Sequence, residues 1–215
     1  MELDEHEQGE LVRKWLRQNG SSLITGIAMG LALVFAWQWW QGKGLRHQEE
    51  AATQYQAFVE ALDAKDAGKA KTFTALLTDK YSDTPYSDLA VLRNAAFLHS
   101  AGKTDEAVKL LKAAQPKVNR PEMAEMFSLR LARLLLIAGK SDEARKQVDS
   151  ISNPRFPAIT NELRGDIAAA KGHREEARKA YQMALTTLDQ AAPTRNLLEL
   201  KLIDAGGQPP AKPET

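Results

Sequence analysis

At 215 residues the chain has room for one sizeable core or a short array of helical repeats. Its 29 Lys and Arg nearly balance its 28 Asp and Glu, which excludes the dense basic footprint of a nucleic-acid binder. It contains no cysteine, so disulfides, thiolate catalysis and cysteine-based zinc sites are excluded as well.

Residues 1–20 form a polar tail carrying Glu2, Asp4, Glu5, Glu7 and Glu10. The mean hydropathy of −0.42 then conceals an apolar segment, because Gln18 to Gly42 holds no charged residue. As a helix, Leu23 to Trp40 would span ~27 Å, close to the ~30 Å core of a bilayer. Trp15 precedes the span, and Trp37, Trp39 and Trp40 close it, where indole rings favour the membrane interface. A cleaved signal peptide wants a short basic start and small residues at its exit. This chain has an acidic start and the bulky exit FAWQWWQGKG. The expectation is an uncleaved signal anchor over 21–42. Arg13, Lys14 and Arg17 before it, against Lys43 and Arg46 after it, predict a cytoplasmic N-terminus and an exported C-terminal domain. Within the span, Gly26 and Gly30 form a G-x-x-x-G pair, and Ala28, Ala32 and Ala36 form a second small-residue stripe. Both suit close helix packing in a membrane.

Beyond the span one phrase recurs: GKTDEAVKLL at Gly102, GKSDEARKQV at Gly139 and GHREEARKAY at Gly172. Fainter echoes at Gly68 and Gly206 extend the series to intervals of 34, 37, 33 and 34 residues. That period is the signature of tetratricopeptide (TPR) repeats, a helix–turn–helix unit of 34 residues. Each glycine suits the left-handed end of a first helix. Thr104 and Ser141 are placed to cap the next, with acids behind them at its positive end. The third copy has His173 and Arg174 there, which predicts a looser turn. Ala107, Ala144 and Ala177 are small where paired helices must approach. Pro85, Pro121, Pro154 and Pro193 mark the starts of first helices.

The predicted fold is therefore all-α: a single N-terminal transmembrane helix followed by a TPR-like α-solenoid over 44–205. Its antiparallel helix pairs are 44–65 with 69–81, 86–101 with 104–115, 121–138 with 141–150, and 155–171 with 174–190. A capping helix over 194–205 closes the stack, and 206–215 is a disordered tail.

No enzyme motif emerges. The histidines, His6, His47, His99 and His173, lack metal-ligand spacing, and no phosphate-binding loop or nucleophile elbow occurs. The paired carboxylates recur at one place in the repeat and read as helix-start charges, not acid–base dyads. No catalytic residue, metal or cofactor is expected. A solenoid instead offers a concave groove lined by first helices. Alignment on the glycines nominates Leu92, Ala96 and His99, then Met126, Leu129 and Arg133, then Glu162 and Asp166. These do not reproduce the Lys and Asn clamp by which some TPR domains hold C-terminal carboxylates.

The acidic tail, the single span ending in clustered Trp and the exported array with its GK-x-DEA phrase together resemble the YfgM family, bacterial inner-membrane proteins known as ancillary SecYEG translocon subunits. The likeness covers nearly the whole chain, including LRNAAFLHSAGKTDEAVKLL and LRLARLLLIAGKSDEARKQV. It implies a single-pass inner-membrane protein with a periplasmic domain, associated with SecYEG and the periplasmic chaperone PpiD, that handles exported client polypeptides without ATP. From the residues alone, two other classes stay open. One is a TPR scaffold of another envelope assembly, such as a pilus, secretion or division complex. The other is a regulator acting through its cytoplasmic tail.

Overall fold

In the computed structural model, which describes residues 5–208 and leaves out the side chains of 5–8, 11 and 39–43, every regular element is helical. Helix α1 (Glu5–Asp63) holds the membrane candidate: Val12–Gln38, 27 residues, is long and apolar enough to cross a bilayer, and none of it is buried. Ile24, Leu33, Phe35 and Trp37 are exposed, as a lipid-facing helix requires. Gly26 and Gly30 would each accept a Cβ without meeting another group. The side chains of Trp39 and Trp40, expected at the interface, lie outside the described ones.

A separate helix beginning near residue 44 is not found. The backbone stays helical through Gly42 and Gly44 because no proline interrupts it. A glycine in a helix interior costs only about 1 kcal/mol. The chain divides into two units between Ala52 and Thr53. The anticipated tail lies outside the described residues from 209 onward, as do residues 1–4.

The second unit continues with α2 (Ala67–Lys80), α3 (Pro85–Ser100), α4 (Thr104–Ala114), α5 (Pro121–Ile137), α6 (Ser141–Asp149), α7 (Pro157–Ala170), α8 (Arg174–Thr187) and α9 (Arg195–Asp204). Helices α3 with α4, α5 with α6, and α7 with α8 pack as pairs, and each pair packs on the next. Ala107, Ala144 and Ala177 have no exposed surface, as expected where paired helices approach closely. The core comes in two clusters. One runs from Val91 to Ile167 around Phe127, Leu131 and Leu135. The other joins α7, α8 and α9 around Tyr181, Leu198 and Leu202.

The turns explain the recurring phrase. Gly102, Gly139, Gly172 and Gly206 all have φ between 75° and 85°. At Gly102, its N–H donates to the His99 carbonyl at 2.9 Å and the Lys103 N–H donates to Leu98 at 2.8 Å. This is the paired Schellman closure, and it repeats at the other three glycines. Lys103 then accepts from the Ala107 N–H at 3.1 Å, so the residue that ends one helix starts the next. Three expectations are corrected by this geometry. Thr104 and Ser141 are not caps. Lys103 and Lys140 take the cap position without a side-chain bond, and the hydroxyl residues become the first helical residues. The Gly172 turn is not looser, because backbone bonds make it: His173 N–H reaches Ala168 at 2.9 Å.

Gly68 is not a turn glycine but sits in the first turn of α2. The left-handed residue there is Lys65, at φ 55°, and Asp66 caps α2 by accepting from the Lys69 N–H at 2.9 Å. The turns therefore fall at 65, 102, 139, 172 and 206.

Pro85 and Pro121 start α3 and α5 as predicted. The start expected at Pro154 belongs to Pro157. A residue before proline resists helical backbone, and the buried Glu125 carboxylate accepts from the N–H groups of Arg155 (2.8 Å) and Phe156 (3.0 Å). Pro193 lies before α9 without joining it.

Candidate functional site

The first helices of the pairs, α3, α5 and α7, carry the nominated positions. Leu92 and Ala96 of α3 and Met126, Leu129 and Arg133 of α5 line one groove of about 320 Å³, with Phe156 and Ile159 from the start of α7. The volume suits two or three side chains. Leu92 and Leu129, each 7% exposed, form its floor, while Met126 at 38% and Ile159 at 43% stay open to solvent. Arg93, Arg130 and Arg133 are exposed beside them.

The other three nominated residues go elsewhere. His99 Nδ1 lies 3.0 Å from Thr104 Oγ1, at the α3–α4 turn. Glu162 and Asp166 project from α7 toward α9, where Lys201 Nζ donates to Glu162 Oε1 at 2.6 Å and to Asp166 Oδ2 at 2.9 Å. Tyr181 OH donates to Asp166 Oδ1 at 2.9 Å. Burial opposes the charge on Lys201, but its bonds to Asp166 and Glu162 and their charges outweigh that, and its pKa is raised above 10.5. Burial, then the charge of Asp166 and the bond to it, pushes the Tyr181 phenol well above 10.0. At this end of the face both carboxylates are held by partners within the fold.

Tyr181 also explains Gly165. A Cβ at that position would stand 2.3 Å from the tyrosine ring, so only glycine lets α8 lie so close to α7.

Arg93 and Arg130 escaped the sequence reading. The signal was present: an arginine stands nine residues before both Gly102 and Gly139, directly after the nominated leucine. The guanidinium of Arg93 also sits 6.0 Å from the centre of the Tyr55 ring.

The paired carboxylates of the phrase have a second task besides facing helix starts. Glu143 accepts from Lys112 at 2.5 Å, Asp142 from Lys171 at 2.6 Å, and Glu176 from Arg145 at 2.6 Å, each joining one repeat to the next. The bond from the partner cation is the main cause holding each of these carboxyls below its ordinary range. Among the described residues no cluster of three or more His, Asp or Glu is placed to hold a metal ion.

The family model of the tetratricopeptide repeat-like domain matches residues 13–207. A protein of Escherichia coli (strain K12) named ancillary SecYEG translocon subunit is 24% identical over 202 residues, covering 93% of this chain and 95% of its own. Proteins of the same name from Neisseria gonorrhoeae (25%, over 93% and 96%) and Aggregatibacter actinomycetemcomitans (25%, over 85% and 89%) are similar too. Among solved structures, the nearly identical TPR-like repeats of a kinesin light chain from Podosopora anserina superpose with a TM-score of 0.56. That match has 20% identity and covers 74% of this chain and 86% of the other, a likeness of fold alone.

Proposed function

We propose the following role for this chain, which belongs to the tetratricopeptide repeat-like domain family and, with the relatives above, to the YfgM family: it is an ancillary subunit of the Sec translocon, anchored in the bacterial inner membrane by α1. One observation carries the reading. The likeness to proteins of that name runs through both the membrane span and the solenoid, over 93% of the chain in the Escherichia coli case.

The N-terminus is cytoplasmic, following the cations Arg13, Lys14 and Arg17, and the solenoid faces the periplasm. There it holds partners by surface complementarity, with no catalytic step and no nucleotide. The groove of α3 and α5 is the contact surface, and the partners are the chaperone PpiD and exported chains that emerge from SecYEG.

In-cell photo-crosslinking tests this. A photoreactive residue at Met29, in the span, is expected to capture Sec subunits. One at Met126, on the groove wall, is expected to capture PpiD or a range of exported chains. Adducts at both positions to one unrelated envelope assembly would overturn the reading and favour a scaffold of that assembly.

A further inference from the structure

The groove of α3 and α5 joins an apolar floor to cations that no carboxylate among the described residues pairs with, and we propose that it selects polypeptide segments in which apolar side chains are interspersed with carboxylates. The proposal deepens the role given above and rests on it. Among the described residues, Arg93, Arg130 and Arg133 have no carboxylate at ion-pair distance, and all three are exposed. Several acids of the same first helices are already engaged elsewhere. Asp88 pairs with Arg120 at 2.6 Å. Glu125 is occupied by the backbone N–H groups of Arg155 and Phe156. Glu162 and Asp166 are held by Lys201. Among the described residues no acid lines the groove itself.

Three guanidinium groups around an apolar floor recognise a definite chemistry. Leu92, Leu129, Met126 and Ile159 take two or three apolar side chains out of water, which drives binding without regard to sequence. The guanidinium groups present paired N–H donors that match carboxylates in geometry as well as charge. A basic segment with the same apolar side chains meets repulsion at every arginine. The apolar floor supplies affinity, and the arginines supply the discrimination.

The test uses the full chain in nanodiscs of neutral lipid and three fluorescent peptides with identical leucine and phenylalanine positions. The intervening residues are glutamate, serine or lysine. The glutamate peptide should bind at least about tenfold more tightly than the lysine peptide, with a preference that shrinks as salt rises. The double variant Arg130→Glu with Arg133→Glu should reverse the order, with a circular dichroism melt unchanged because both residues are exposed. Equal affinities, no binding, or an order indifferent to the charge reversal would overturn the proposal. So would capture of anionic vesicles by these arginines without any preference among peptides. If the peptide test fails while Met29 still crosslinks to Sec subunits and Met126 to exported chains, this inference alone falls. If the crosslinks fail too, the assigned role falls with it.

Discussion

Leu129 on α5 and Glu162 on α7 stand at the same repeat position, ten residues before their turn glycines, yet one floors an open groove and the other is locked into a charged network. The difference lies in what the neighbouring helix supplies. Helix α9 brings Lys201 to Glu162 and Asp166, and α8 brings Tyr181, so the charges of α7 are answered within the fold. Among the described residues nothing comparable reaches Arg130 or Arg133. Repeat position nominates a residue for the concave face, and the local partner decides whether it is free to bind.

The strongest way to break this contrast is Gly165→Ala. The added methyl would collide with a ring that is 3% exposed and tied to Asp166, so the closed end must shift to accommodate it. Overpacking of this kind costs about 1–3 kcal/mol. Urea unfolding of the detergent-solubilised chain should show it, and an unchanged midpoint would mean that α7 and α8 are not so close. Next is Lys201→Ala, which leaves two carboxylates facing each other. Loss of charged hydrogen bonds of this sort costs about 1.5–3 kcal/mol, here toward the lower end because Lys201 is 26% exposed. Adding Glu162→Gln to that variant should recover part of the loss; no recovery would remove the charge explanation.

Alkaline titration gives a smaller signal confined to the closed end. Lys201 and Tyr181 both have raised pKa values, so the folded state holds their protons more tightly than the unfolded chain does. Their contribution is complete below the ordinary values of 10.0 and 10.5 and is lost as pH rises beyond them. Phenolate absorbance, compared with a Tyr181→Phe variant, should show Tyr181 ionising only as the fold is lost. Ionisation in the intact fold near 10 would contradict its burial. The smallest effect belongs to the open end. Arg130→Ala and Arg133→Ala should each leave stability within about 0.5 kcal/mol, since exposed residues away from such networks contribute little. A larger loss would expose a structural partner for one of these arginines.

Much of this fold was legible because glycine marks its turns. Gly102, Gly139, Gly172 and Gly206 were found by spacing, and all adopt the left-handed conformation. The first turn was misphased because it uses Lys65, a residue that carries no turn signal, while Gly68 three residues on offered a false one. The caps were misassigned because one residue serves two helices, a sharing that local capping patterns do not encode. For the groove, the positions that spacing picks out at Leu92, Ala96, Met126, Leu129 and Arg133 lie along one cavity. It could not separate them from Glu162 and Asp166, whose fate depends on Lys201, 39 and 35 residues further on. A partner at that distance leaves no trace in the period.

The shared residue at each turn also limits how the chain can change length. Where Lys103, Lys140 and His173 each close one helix and open the next, no linker exists to absorb an inserted residue. An insertion there would rotate the following helix by roughly 100° and turn its apolar face outward. The connections after the second helices, 81–84, 115–120, 150–156 and 188–194, carry no such double duty. Insertion scanning should find the solenoid permissive in those four loops and intolerant at the glycine turns, which makes the loops the places to seat an epitope or a fluorescent reporter.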